Sequence, residues 1–353
     1  MHQRLINDMI NSMKVILIGL PQAGSQPLFS LLTGVPEEQV LQKPLEALQG
    51  ICEVRDPRIV KLKELFNPKK TTFARIEYTL LPDLATSGPA KTLIFNELKN
   101  ADELCFIVTE EQALEELNQF FSELIIADFM LVEKRLETIA RDQRKKFQET
   151  REKEKLLMEK IKATLDNSQP LAPANFNEEE LKTLRAYQFL TLKPCFVSLN
   201  LSGDKLANPE LMEKIAATYH LPAVALNIKL ESELLALPAA DRQEYMKEIG
   251  LTEPAIDRMT QMVFTGLGLF SFFTVGEDEV RAWPVRRGAS AAEAGGVIHS
   301  DIEKGFVRAE HMRYEELLAL GSEAKVKEAG KFSLKGRDYL VEDGDVLSFR
   351  FNV

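Results

Sequence analysis

The sequence predicts an α/β protein built from a sheet, an inserted helical arm and a small separate α+β domain. Short apolar strand patterns alternate with helical patterns in the first part of the chain, which is typical of an α/β sheet. A long, charged, proline-free stretch then separates two of these strand patterns. Beyond Gly266 the pattern changes to short strands around one clear helix. Together these observations predict three structural parts in one chain.

Length and composition agree with this division. A chain of 353 residues favours two or three domains. Apolar residues make up 45% and charged residues 28%, which is ordinary for a globular protein. The formal net charge of -10 argues against a protein that coats nucleic acid throughout. A local basic face can still bind phosphates on an acidic protein.

The cysteines and apolar segments indicate a soluble, cytoplasmic protein without a metal centre. The three cysteines are odd in number and widely spaced, which argues against a disulfide framework or a zinc knuckle. The longest apolar stretch, Met262–Val275, is shorter than the roughly 20 residues that span a bilayer. The sequence therefore predicts no membrane segment and a reducing compartment.

A strand, a glycine loop and a helix open the predicted sheet. Lys14–Gly19 is β-branched and apolar and ends at a glycine, as a buried strand does. Apolar residues at helical spacing follow from Leu28 until Gly34 ends the run. Further strands are predicted at Arg75–Leu81, Leu104–Val108, Cys195–Leu199 and Ala223–Ile228.

The arm is predicted between Leu114 and Leu165, where leucines and isoleucines form one apolar stripe. One straight helix of this length would reach roughly 75 Å. Two antiparallel helices that meet within Arg141–Arg151 are therefore expected. Pro170 and Pro173 then break the pattern before the α/β alternation returns.

The C-terminal part alternates short strands with turns. Its clear helix is predicted at Ser290–Ile298, and a turn is predicted at Asp343–Gly344. Its strands are predicted at Leu269–Val275, Glu279–Pro284, Phe306–Ala309 and Val346–Phe351.

The glycine loop, Gly19-Leu20-Pro21-Gln22-Ala23-Gly24-Ser25-Gln26-Pro27, resembles the P-loop of the YchF/Obg-like NTPases. A working P-loop uses a lysine to reach the β- and γ-phosphates and a Ser or Thr hydroxyl to hold magnesium. Here Ser25 stands at the lysine position and Gln26 at the magnesium-ligand position. Pro27 in addition lacks a backbone N–H that could bind phosphate. The resemblance thus implies a degenerate nucleotide site with vestigial Gly19 and Gly24.

The two switch segments of that family are also altered. The stretch from Asp56 to Tyr78 matches the family closely after its first switch. The first switch itself has Leu45–Leu48, which offers no hydroxyl at the family's threonine position. Most of the glycine-rich second switch is missing after Leu81–Gly88. The resemblance therefore implies that the segment sensing the γ-phosphate is lost.

The base-recognition segments are partly kept. Asn200 matches the asparagine of the family's Asn-x-x-Glu motif, but Gly203 replaces the glutamate. Asn227–Glu231, which includes Lys229, resembles the segment that lies beside the base. Asn200 is expected either to contact a purine edge or to have a structural role in its loop.

The C-terminal segments resemble the TGS domain of the same family, which is a ubiquitin-like β-grasp. The resemblance extends over nearly the whole chain, from Lys14 to Val353. The implied fold is a P-loop NTPase-like α/β sheet with an inserted antiparallel helical coiled-coil arm and a C-terminal β-grasp. The expected domains are a G-like domain at residues 1–110 and 168–267, the arm at 111–167 and the TGS domain at 268–353. His299 lies near Asp301 and Glu303, but no nucleophile is placed with it, so a structural role is expected.

The leading hypothesis is a non-hydrolysing pseudo-NTPase with no catalytic residue and no cofactor. The resemblance implies a ribosome or RNA partner, and the arm offers a surface for a protein partner. One alternative is weak binding of ATP or GTP with magnesium through Gly24 and the helix N-terminus. Another is regulation of a functional paralogue. Five cations are expected either to contact RNA or only to solvate the C-terminal surface: Arg281, Arg286, Arg287, Lys304 and Arg308.

Overall fold

The computed structural model describes residues 13–141, 148–172, 175–251 and 253–352. The chain forms two compact units. The N-terminal unit comprises Val15–Gln49 and Thr79–Gly250. The C-terminal unit combines Gly50–Tyr78 with the chain from Leu251 onward.

Up to Gly250 the elements follow the predicted alternation of strands and helices. In chain order they are β1 (Met13–Gly19), α1 (Ser25–Thr33), α2 (Glu37–Leu41), β2 (Leu48–Glu53), α3 (Pro57–Phe66), β3 (Lys70–Thr72), β4 (Arg75–Leu80), α4 (Pro89–Asn100), β5 (Glu103–Thr109), α5 (Ala113–Arg141), α6 (Gln148–Asp166), α7 (Glu178–Leu184), a 3-10 helix (Leu190–Leu192), β6 (Cys195–Asn200), α8 (Pro209–Tyr219), β7 (Ala223–Leu226), α9 (Ile228–Ala236) and α10 (Ala239–Glu248).

The first sheet has the strand order β2-β4-β1-β5-β6-β7. β1 pairs in parallel with β5, β5 with β6, and β6 with β7. These strands are apolar because both sheet faces are covered, and β5 is buried from Glu103 to Val108. Parallel neighbours place their carboxyl ends at one edge of the sheet, where the loops after β1, β5 and β6 meet.

The arm consists of α5 and α6. Glu133 binds Lys162 and Arg135 binds Glu154, so residue numbers rise along one helix as they fall along the other. This is the predicted antiparallel pair. The turn expected within Arg141–Arg151 falls mainly on residues 142–147, which lie outside the described residues. The seam between the helices is apolar and contains Val132, Ile139, Leu157, Met158, Ile161 and Leu165.

The C-terminal unit contains a second six-stranded sheet, with the order β11-β10-β12-β8-β9-β3. β8 and β9 form an antiparallel hairpin, and β10 pairs antiparallel with β12. From Leu251 onward the elements are α11 (Ala255–Gly266), β8 (Leu269–Thr274), β9 (Glu279–Arg286), α12 (Ala291–Ile298), α13 (Ser300–Lys304), β10 (Phe306–Arg313), α14 (Tyr314–Leu320), α15 (Glu323–Glu328), β11 (Ser333–Lys335) and β12 (Asp345–Phe351).

An early segment of the chain completes this second sheet. β3 pairs in parallel with β9, from Lys70 opposite Glu279 to Thr72 opposite Arg281. α3 belongs to the same unit. The Arg58 guanidinium of α3 bonds to Asp56 and lies 3.0 Å from Asp343, above the ring of Phe273. The sequence did not predict that this segment joins the C-terminal strands.

Most predicted strands are present, with small shifts at their ends. β7 ends at Leu226, and the predicted strand end at Ile228 is wrong because Asn227 caps α9 there. β10 extends to Arg313. The predicted domain boundaries stay a prediction. Within the described ranges, no helix is long and apolar enough to cross a membrane.

Candidate functional site

The loop after β1 keeps an unusual backbone conformation. Gln22 has a φ of 70° and Gly24 a φ of 93°, both in the left-handed region. A Cβ added at Gly24 would lie 2.6 Å from Asn200 Nδ2 and 2.7 Å from Ile228 Cδ1. Gly24 is therefore required by both its backbone angle and its close neighbours. Successive positive and negative φ values can turn backbone N–H groups toward one point, so the loop retains a concave form.

The Ser25 side chain packs against Gly19 at the start of the loop. Ser25 is 6% exposed, and within the described residues its Oγ has no hydrogen-bond partner. The hydroxyl lies so close to Gly19 that a Cβ added there would collide with it. Pro27 lies in the first turn of α1, where its missing N–H costs the helix nothing. The first turn of α1 therefore tolerates Pro27.

A small crevice with a volume of about 10 Å³ lies beside Ser25 and Gln26. This is room for about one water molecule. Lys43 and Glu46 line it and form an ion pair of 2.8 Å with each other. Asp83 also lines it, and burial raises the pKa of that carboxyl.

The structure brings the base-recognition segments to the same loop. Asn200, at the end of β6, donates from Nδ2 to the carbonyl of Ala23 at 3.2 Å. Asn227 caps α9 by accepting from the Leu230 N–H. Lys229 lies in the first turn of α9 and is exposed. Of the predicted residues, Gly19, Gly24, Ser25, Gln26 and Asn200 lie around one loop, and Lys229 belongs to the helix that contacts Gly24 through Ile228.

Sequence reasoning missed Glu110, which follows β5 at this edge of the sheet. Its carboxylate accepts from Lys205 Nζ at 2.8 Å, Asn208 Nδ2 at 2.7 Å and the Ser202 hydroxyl at 3.1 Å. The hydrogen bond from Lys205, with further donors, lowers the pKa of Glu110 to about 2 although burial opposes the shift. Its place directly after a buried strand was the available sequence signal.

The predicted cations do not share one face of the C-terminal unit. Arg281 and Arg286 lie five residues apart on β9 and so point to opposite faces. Arg281 stacks over Trp283 and Arg287 lies over the ring of Phe270. Lys304 is the last residue of α13. Arg308 lies on β10, and two strands, β12 and β8, lie between β10 and β9 in the sheet. The five cations are therefore distributed around the unit.

Two histidines of this unit have structural surroundings. His299 Nδ1 accepts from the Asp301 N–H and caps α13, which confirms the expected structural role. His311 is buried, with Nε2 2.9 Å from Asp345 Oδ1 and Nδ1 3.0 Å from Ser333 Oγ. Burial alone would raise the pKa of Asp345, but hydrogen bonds from His311, a backbone N–H and Tyr339 lower it.

The described residues offer little support for a metal site or for a reactive cysteine. There, no group of three or more His, Cys, Asp or Glu side chains is placed to hold a metal ion. Cys52, Cys105 and Cys195 are free thiols. Burial raises the pKa of Cys52 to about 11 and that of Cys195 to about 12, so both stay protonated at neutral pH.

Comparison with known proteins identifies the family. Residues 269–352 match the family model YchF-GTPase_C, described as "Protein of unknown function (DUF933)". The ribosome-binding ATPase YchF of Bacillus subtilis is 33% identical over 362 residues, with 96% of this chain and 98% of that protein covered. The protein of the same name from Haemophilus influenzae is 32% identical over 363 residues, with the same coverage.

A solved structure shows the same fold. The Schizosaccharomyces pombe YchF GTPase superposes with a TM-score of 0.83 at 24% identity, with 96% of this chain and 98% of that chain covered. This likeness confirms the predicted α/β, P-loop NTPase-like fold. With relatives above 30% identity along nearly its whole length, the chain belongs to the YchF family.

Proposed function

We propose that the chain is a ribosome-associated member of the YchF family that does not hydrolyse ATP or GTP. The observation that carries the proposal is Ser25, which stands at the phosphate-lysine position and is buried against Gly19. A serine turned inward cannot place a positive charge on the β- and γ-phosphates. Transition-state charge in phosphoryl transfer would then lack its main protein cation in the loop.

The surroundings of Ser25 do not fit a magnesium nucleotide held in the manner of a working P-loop. Gln26 offers a neutral amide where the metal ligand would be a Ser or Thr hydroxyl. Pro27 removes one backbone donor. The residues thus support a site without a nucleotide cofactor.

One observation favours the alternative of residual nucleotide binding. The loop keeps its left-handed residues at Gln22 and Gly24, and α1 begins directly behind it. Such an arrangement attracts anions even without a lysine. A weak ATP or GTP site therefore remains the second candidate function. Regulation of a functional paralogue is a third, and it requires no chemistry in the loop.

The partner follows from the relatives. Several of them are named ribosome-binding ATPase YchF, and this chain aligns with them along nearly its full length. We infer a cytoplasmic protein whose arm and C-terminal unit, the latter a TGS-type β-grasp, contact ribosomes or other partners. In this view the N-terminal unit is a scaffold, and the degenerate loop has no switching role.

Hydrolysis is tested by phosphate release from ATP and from GTP with magnesium, with the YchF protein of Bacillus subtilis as the positive control. The proposal expects no release above a protein-free blank. Magnesium-dependent turnover above the blank would contradict the proposal. Its loss in a Gly24→Val variant that keeps the circular dichroism spectrum of the unmodified protein would assign the activity to the loop. A Ser122→Ala variant, changed on the exposed surface of α5, controls for effects of expression and purification and should behave like the unmodified protein.

Ribosome association is tested by co-sedimentation at low and high salt. Reversal of Arg286, Arg287 and Lys304 to glutamate should reduce the pelleted fraction, because phosphate contacts made by cations weaken with lost charge and with added salt. Because Lys304 lies on a different element from Arg286 and Arg287, each cation is also reversed singly. Equal pelleting of the unmodified and triple-reversed proteins would place the contact elsewhere, with the arm as the next surface to test.

A further inference from the structure

The loop between β6 and α8, residues 201–208, makes several polar contacts with the side chains of Glu110 and Asn227. It contains Gly203, the position at which the family's recognition motif has a glutamate. We propose that Glu110 acts as a built-in ligand that holds this loop closed, so that the site keeps one conformation without a nucleotide. This inference rests on the proposed function, because it explains how the N-terminal unit stays ordered when no nucleotide binds.

The carboxylate of Glu110 contacts both ends of the loop. Oε2 accepts from the Ser202 hydroxyl at 3.1 Å and its N–H at 3.4 Å. Oε1 accepts from Lys205 Nζ and Asn208 Nδ2. Asn208 in turn caps α8 by accepting from the Leu211 N–H. One side chain therefore links the start of the loop to the helix that follows it.

The opposite side of the loop is held by Asn227. Its Nδ2 donates to the carbonyl of Gly203 at 2.7 Å and to that of Lys205 at 3.5 Å. Gly203 has a φ of 63°, which a glutamate at this position would adopt only with strain. The loop thus has a turn that suits internal contacts and disfavours the family's own residue.

Glu110 is poorly placed to recognise an external ligand. Its side chain is only 6% exposed, and each oxygen already accepts from two donors. A base edge would have to displace charge-assisted hydrogen bonds, which are the stronger kind. Its backbone N–H also donates to the carbonyl of Asn200 at 3.1 Å, which fixes Glu110 beside the asparagine. The Glu110 carboxylate therefore makes, from within the chain, the hydrogen bonds to the loop that a bound ligand would otherwise make.

Trypsin cleavage after Lys205 tests the proposal directly. The protease must take the Lys205 side chain into its own acidic pocket, so cleavage requires release from Glu110. Cleavage of a transiently opened loop follows the population of the open form. In the full chain, Glu110→Ala should speed cleavage between Lys205 and Leu206 about tenfold, since about 1.4 kcal/mol of lost contact raises the open population tenfold. Mass spectrometry identifies the product.

Two further variants make the result decisive. Glu110→Gln keeps the shape and one acceptor oxygen, and should speed cleavage about threefold even if the alanine variant folds poorly. Glu111→Gln, at the exposed next residue, should leave the rate unchanged. Cleavage of both Glu110 variants at the unmodified rate would overturn the proposal. Slower cleavage of the unmodified chain with ATP or GTP would instead contradict the proposed function, while the variant comparison would still decide the role of Glu110.

Discussion

Replacement of Asp128 by alanine should detach the arm from the segment that follows it. Asp128 lies on α5 and is 2% exposed. Its Oδ1 accepts from the Leu190 N–H at 2.9 Å, and its Oδ2 accepts from the Thr191 N–H at 2.9 Å and hydroxyl at 2.7 Å. These donors belong to the first two residues of the 3-10 helix that precedes β6. The carboxylate therefore fixes the arm to the point where the chain re-enters the sheet.

The expected loss of unfolding free energy is about 3 kcal/mol. Each of three donors left buried and unpaired costs about 1–3 kcal/mol. Two effects reduce this sum. Burial raises the pKa of Asp128, so the folded protein keeps the charged carboxylate at a cost that the alanine variant does not have. Alanine also has a higher helix propensity than aspartate, by roughly half a kcal/mol. Asp128→Asn keeps one acceptor oxygen and should lose about half as much.

Urea unfolding followed by far-UV circular dichroism measures the loss. The urea midpoint of the N-terminal unit should fall by about 1–3 M for the alanine variant, since m is about 1–3 kcal/mol per M. Glu137→Ala is the matched control, because Glu137 lies on the same helix in an exposed ion pair with Arg141 and should change stability by less than about 0.5 kcal/mol. An alanine variant as stable as this control would refute the role of Asp128.

Two further predictions concern Glu103 and the C-terminal unit. Glu103 is 1% exposed, and burial raises the pKa of its carboxyl to about 8. The folded state thus binds this proton more tightly than the unfolded state does. The free energy of unfolding should therefore fall as pH rises from about 4.5 to 8, by about 4 kcal/mol relative to Glu103→Gln. Parallel pH dependence of the two proteins in thermal melting would contradict this. A fragment of residues 268–353 lacks β3 and Arg58, so it should be less soluble than residues 251–353 linked to residues 50–78. Equal yield and equal NMR dispersion of the two would show that the early segment is dispensable.

Local patterns predicted the elements well where each element buries one regular face. β1, β5 and β6 are short apolar runs that end at turn residues, and the structure places them within about one residue of the prediction. The helix predicted at Ser290–Ile298 forms as α12, and its N-terminus is held by a capping box of Ser290 and Glu293.

Long-range pairing could not be predicted in the same way. β3 has only three residues, and Lys70–Thr72 lacks an alternating apolar pattern, so nothing local shows that it pairs with β9 more than 200 residues later. The orientation of Ser25 depends on the space against Gly19, and the Glu110 contacts depend on the register of β5 and β6. Such features follow from tertiary packing, which residue types and spacing leave open.

Isothermal titration calorimetry of the purified full chain with ATP and with GTP, each with magnesium, tests the central claim most directly. We expect no measurable heat of binding for the unmodified protein. The double variant Ser25→Lys, Gln26→Ser should recover at most weak binding, because Pro27 still lacks its N–H and Gly203 still replaces the base-recognising glutamate. Submicromolar binding of either nucleotide by the unmodified protein would contradict the account and establish a nucleotide-dependent switch.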